Sequence, residues 1–203
     1  VFFDPGGVVL EAARRLDEWE LIRETFPTPR DFLVLAREPE EGEVEDNDLA
    51  RLLDLLDGTR DLERLGEDYY LSPFDLQRSL RELVLIGLVR PLEAEELVRS
   101  ATLRAEEGEL FLAIAMLERA GELDSENPDV FDRLARICRE AGDEVAAARW
   151  LMELSRTLYR DGKYVPAGQH AQEALTLDDH NLEALELLGL LATRGGEPGE
   201  ALE

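Results

Sequence analysis

The chain has 203 residues, 44% of them hydrophobic, enough to bury a real core in one or two domains. Its 47 acidic and 22 basic residues give a net charge of −25, which argues against a nucleic acid or an anionic membrane as partner, since both need a basic face. The lone cysteine, Cys138, excludes an internal disulfide and a cysteine-based metal cluster, and it falls at a packing position of a predicted helix.

No apolar run approaches the roughly 20 residues of a membrane span, and the first residues lack the basic start and small-residue cleavage site of a signal peptide. A cytoplasmic protein is the expectation. Val1-Phe2-Phe3 reads as the end of a strand, and Glu200-Ala201-Leu202 as the start of a helix, so the chain is expected to be a fragment of a longer protein.

Residues 1–43 hold a short strand, a long helix and a second strand. Val9, Ala12, Leu16, Trp19, Ile22 and Phe26 recur at steps of three and four, the apolar face of one helix. Pro27 and Pro29 end it. Phe32-Leu33-Val34-Leu35 is strand-like, and Glu38 to Glu43 form an acidic linker. Phe3-Asp4-Pro5-Gly6, followed by the run from Leu10 to Glu20, resembles the C-terminal part of the bacterial PATAN domain. That resemblance implies a signalling protein in which this segment mediates protein contacts.

Residues 44–92 read as three helices and a small wing. Leu49, Leu52, Leu53 and Leu56 mark the first helix, stopped by Asp57-Gly58. Asp61 can cap a short second helix bearing Leu62 and Leu65. Ser72 before Pro73 is an N-cap with proline at N1, and the third helix carries Leu76, Leu80, Leu83 and Val84. Gly87 closes it, and Leu88-Val89-Arg90 is a strand. The pattern is similar to a winged helix-turn-helix. A DNA reader, however, shows a clustered basic face, and here Arg78 and Arg81 stand among Asp75 and Glu82.

From residue 93 the chain repeats. Gly108 with Ala113 recurs 34 residues on as Gly142 with Ala147, and Gly162 with Ala167 recurs 34 residues on as Gly196 with Ala201. Glycine permits the positive φ of a tight turn between helices, and alanine lets two backbones approach closely. Leu123-Asp124-Ser125-Glu126-Asn127 is echoed by Leu177-Asp178-Asp179-His180-Asn181. Between Gly142 and Gly162 the step drops to 20, so the array has one irregular step, over 143–161. Val145 to Arg160 lacks any breaker and reads as one helix. Either it serves two successive repeats, or it pairs with one neighbour and leaves Asp129–Ala141 as a lone helix.

The period, with Phe131, Leu134 and Ala135 as the large, medium and small residues of a first helix, is similar to tetratricopeptide repeats (TPR) over residues 94–203. The expected fold is therefore mainly α: a PATAN-like segment at 1–43, a winged-helix-like unit at 44–92, and an α-solenoid of TPR-like hairpins at 93–203.

In that family the exposed face of each first helix lines a concave groove. The resemblance puts Asp132, Arg136, Arg139, Arg149, Met152, Arg156 and Tyr159 there. Planar guanidinium groups beside an aromatic ring suit an acidic peptide or helix. The same arginines could instead pair with the protein's own carboxylates. His170 and His180 have no nucleophile spaced to use them, Asp178-Asp179-His180 reads as a capping turn, and no phosphate loop appears. No cofactor or metal is expected. The reading is a non-catalytic interaction scaffold or adaptor in signalling, the alternative being a transcription regulator contacting DNA through 44–92. Leu187, Leu190 and Leu191 of the last helix offer a surface for self-association.

Overall fold

The computed structural model describes residues 5–40, 42–44, 47–69 and 71–195. Among them are ten helices and a three-stranded antiparallel sheet, so the protein is mainly α. The expected strand at Val1–Phe3 and the last repeat marks, Gly196 and Ala201, lie outside the described residues. The chain divides into two compact units, Val1–Leu92 and Glu93–Glu203.

The first unit runs α1 (Pro5–Thr25), β1 (Phe32–Leu35), α2 (Asn47–Asp54), β2 (Asp57–Asp61), α3 (Leu62–Tyr69), α4 (Pro73–Leu85) and β3 (Val89–Pro91). Its core is leucine-rich: Leu33, Leu52, Leu65, Leu76, Leu80 and Leu88 are all fully buried. Local signals start and stop the helices as expected. Ser72 Oγ accepts from the Asp75 amide at 3.2 Å, with Pro73 at the first helical position.

Two features differ from the sequence reading. The strand order is β2-β1-β3, so β1, assigned upstream of a boundary at 43/44, is the central strand of a sheet completed by residues after it. The sheet therefore crosses that boundary. And 57–61, expected to be a turn leading to a helix cap, is a strand: Phe32 lies opposite Asp61 and Val34 opposite Asp57. Gly58 makes this pairing possible. Its φ is +77°, and a Cβ there would stand 2.9 Å from Val34 Cγ1.

The apolar face of α1 is only half used. Ile22 and Phe26 are buried and Trp19 meets Phe74 edge-on at 5.5 Å, but Val9 and Leu16 are each 67% exposed. The helix packs on α4 through its second half, where Arg81 Nε also donates to the Leu21 carbonyl at 3.2 Å.

The second unit is six consecutive helices: α5 (Ala94–Glu106), α6 (Leu110–Leu123), α7 (Pro128–Glu140), α8 (Glu144–Arg160), α9 (Tyr164–Leu177) and α10 (Leu182–Gly195). From α6 onward each packs on the one before it. Three of the joints are built alike. At Gly108, Gly142 and Gly162, φ lies between +77° and +84°. The glycine amide bonds back three residues, and the next amide bonds back five, as in Glu109 N to Arg104 O, Asp143 N to Cys138 O and Lys163 N to Leu158 O. This is the Schellman closure that glycine favours, and it satisfies the last carbonyls of the helix. Five residues after each glycine, Ala113, Ala147 and Ala167 are 0% exposed and let the next helix approach. The other two joints share a different closure, with Asn127 and Asn181 capping the helices that follow.

The 20-residue step resolves into α8. This helix is continuous over 17 residues and packs on both α7 and α9, so it does not pair with one neighbour alone. Eight of its side chains are buried, and Ser155 Oγ, fully enclosed, donates to the Ala167 carbonyl at 2.6 Å.

Candidate functional site

A helix face repeats every 3.6 residues, so Asp132, Arg136, Arg139 and Glu140 emerge on one side of α7. Asp132, Arg136 and Arg139, together with Ala135 and Glu140, Leu151 of α8 and Glu173 of α9, line a cavity of about 390 Å³. A second, of about 220 Å³, lies toward α5 and is lined by Thr102, Ala105, Glu106, Leu117, Arg133, Arg136, Ile137 and Glu140. Arg136 and Glu140 belong to both, so the two cavities form one groove along α7.

Its arginines are not equivalent. Arg133 Nη1 donates to Thr102 Oγ1 at 3.1 Å, tying α7 to α5. Arg139 forms an ion pair with Glu173, tying α7 to α9. Arg136 is exposed and forms no hydrogen bond or ion pair with a described residue.

The other four residues expected on this surface are elsewhere. Arg149 stacks over the Trp150 ring at 4.4 Å and reaches Glu118 of α6 at 3.4 Å. Arg156 pairs with Glu153 at 2.7 Å and with Glu183 of α10. Tyr159 meets Tyr164 edge-on at 5.3 Å, and its hydroxyl accepts from Arg194 Nη1 at 3.4 Å. Met152 is 2% exposed and belongs to the core. The single groove through all seven residues is therefore corrected to one lined by Asp132, Arg136 and Arg139. With α7 and α9 both packed on α8, Met152 is enclosed, and Leu151, which lies behind the cavity, is equally buried at 3%.

Of the arginines assigned to a partner, Arg139, Arg149 and Arg156 pair with carboxylates of this chain. Each pair is exposed and worth about 0–1 kcal/mol. They tie helices two apart in sequence to one another. Arg133, Glu140, Leu151 and Glu173 were missing from the sequence reading. Glu140 had a signal, since it stands four residues after Arg136 as Asp132 stands four before. Glu173 and Leu151 had none, being brought in by the packing of α8 and α9.

Cys138, His170 and His180 are not among the residues that line the groove, although His170 stands beside Glu173, which is. Burial pushes the Cys138 thiol up to about 11, with Asp143 adding to the effect, which keeps it protonated and inert. His180 is exposed beside Asp179, and His170 is part-buried with Nδ1 3.8 Å from Glu173 Oε2. Among the described residues there is no group of three or more His, Cys, Asp or Glu arranged to hold a metal ion, and no helix long and apolar enough to cross a membrane. Of the leucines expected at a self-association surface, Leu187 and Leu191 are half-buried, the latter beside Gly168, and Leu190 is 50% exposed.

Comparison with protein-family models and with curated proteins gives no match, so function rests on the geometry.

Proposed function

We propose that the chain is a non-catalytic protein–protein interaction scaffold. Its second unit is a TPR-like solenoid, and the groove along α7, between α5 and α9, takes a partner peptide or helix. The observation that carries this is one joint used three times, the Gly108, Gly142 and Gly162 turns each with a buried alanine five residues on, combined with two adjoining cavities on one side of α7. Repeats of this kind bury their interfaces against neighbours and leave an extended face for binding. The packing of α8 on both α7 and α9 supports reading the 20-residue step as a change of phase within one array.

In the first unit, three helices beside the β2-β1-β3 sheet support a winged-helix-like unit that begins at β1, with α1 as the PATAN-like segment. A cytoplasmic signalling adaptor is the setting in which such parts fit together. The DNA-binding alternative loses ground because Arg81 is occupied by the Leu21 carbonyl and Arg78 lies 5.9 Å from the Phe74 ring centroid and 3.9 Å from Asp75. A fluorescence-anisotropy titration with duplex DNA at about 0.15 M salt is expected to show no tight binding, and tight binding there would favour the regulator.

The direct test is photo-cross-linking in cells. A photoreactive amino acid at position 140, in the groove, is expected to capture a partner protein that the same residue at exposed position 160 does not. Equal capture at both positions, or none at 140, would contradict the scaffold reading.

A further inference from the structure

The groove has one feature that an acid-binding surface would not have: its rim is acidic. Asp132 and Glu140 stand one helical turn to either side of Arg136. Glu106 flanks the smaller cavity and Glu173 the larger. Against these four carboxylates stand three guanidinium groups, and two of the three are engaged, Arg133 with Thr102 and Arg139 with Glu173. Arg136 alone has none of its donors engaged by a described residue, and it lines both cavities.

A guanidinium fork binds a carboxylate through two parallel hydrogen bonds, so the centre of the groove is matched to one carboxylate. On each side of that point Ala135 and Leu151 behind the larger cavity, and Leu117 and Ile137 behind the smaller, are only 1–3% exposed and belong to the core, so the accessible lining is mainly charged. Around Arg136 the carboxylates of Asp132, Glu140 and Glu106 repel further negative charge within a screening length of about 8 Å and attract positive charge.

We infer that the groove selects a peptide segment carrying a single Asp or Glu with basic residues on each side of it, and that Arg136 is the residue that determines this specificity. The inference rests on the groove reading of the function. It replaces a generally acidic partner with a patterned one: with Glu173 and Arg139 paired to each other, a run of acidic residues would face Asp132, Glu140 and Glu106 against Arg133 and Arg136.

The test is selection of random linear peptides displayed on phage against the immobilised full chain, followed by affinity measurement of the enriched peptides. The enriched set is expected to show one acidic position between basic ones. Replacing that acid by its amide, or Arg136→Ala in the protein, is expected to weaken binding about tenfold or more, and the two changes together little more than either alone. Circular dichroism of Arg136→Ala checks that the fold is kept. Glu140→Trp, which fills the junction of the cavities, is expected to block the same peptides. Peptides blocked by Glu140→Trp but indifferent to Arg136→Ala, or rich in acidic residues, would overturn this inference and leave the groove intact. Peptides indifferent to both substitutions, or no enrichment at all, would overturn the groove reading with it.

Discussion

Arg139 of α7 and Glu173 of α9 close one wall of the groove with an ion pair, while Arg136, one turn earlier on the same helix, has no such partner among the described residues. The two arginines therefore differ in what they can offer a ligand. Glu173→Gln is expected to release Arg139 into the groove at a stability cost of no more than about 1 kcal/mol, because both partners are substantially exposed. Titration of a carboxylate-bearing groove peptide should show tighter binding to this variant, and chemical denaturation should show a midpoint close to that of the parent. Unchanged or weaker binding would show that Glu173 does not compete for Arg139.

Glycine substitutions separate backbone conformation from space. Gly142 has φ +80° with nothing within 4 Å of the place a methyl group would take, so Gly142→Ala is expected to lose only the left-handed cost of about 1–2 kcal/mol. Gly58 has the same kind of φ, and a methyl group there would also meet Val34 at 2.9 Å, so Gly58→Ala should cost distinctly more. Urea denaturation of both variants checks the order. Equal losses would mean that the β2–β1 contact relaxes freely.

The contact between α8 and α9 includes one buried polar link. Ser155→Ala removes the donor to the Ala167 carbonyl, whose own helix bonding remains, and about 1 kcal/mol of stability is expected to go with it. Thermal unfolding should report this as a fall in Tm with unchanged helicity. A neutral result would indicate that the small apolar residues alone hold the two helices.

The loop after β1 carries a titration signature. Arg37 donates to Glu43, and the Glu40 amide adds a 2.9 Å bond, so the Glu43 carboxyl is lowered from 4.5 to about 2. Because the folded value lies below the ordinary one, the stabilisation is fully present above about pH 4.5 and is lost as pH falls toward 2. Carbon-detected NMR should follow the Glu43 midpoint near 2, and in Arg37→Met it should move up toward 4.5. A midpoint already near 4.5 in the parent would contradict the pairing.

Much of the fold was legible because its signals are local. Ser72-Pro73, the Gly108, Gly142 and Gly162 turns and the unbroken run of α8 each carry their reason within a few residues. Strand β2 was not legible, since Asp57-Gly58-Thr59-Arg60-Asp61 has no β-branched or aromatic run beyond Thr59 and is held extended by β1. Nor could periodicity tell that α4 covers only the Ile22 end of the α1 stripe and leaves Val9 and Leu16 in water. The site divides in the same way. Asp132, Arg136 and Arg139 share a face by helix geometry alone. Met152 follows the same spacing from Arg149, yet is enclosed because α8 has neighbours on two sides. Which arginines already had carboxylates waiting for them depended on contacts with α6, α9 and α10.

The central claim is that partner binding occurs along α7. Hydrogen–deuterium exchange of the full chain, with and without the partner captured from position 140, measures this most directly. Protection is expected in α5, α7 and α9, with the Arg149 and Arg156 side of α8 unchanged. Protection confined to α6, α8 and α10, or none in α7, would contradict it.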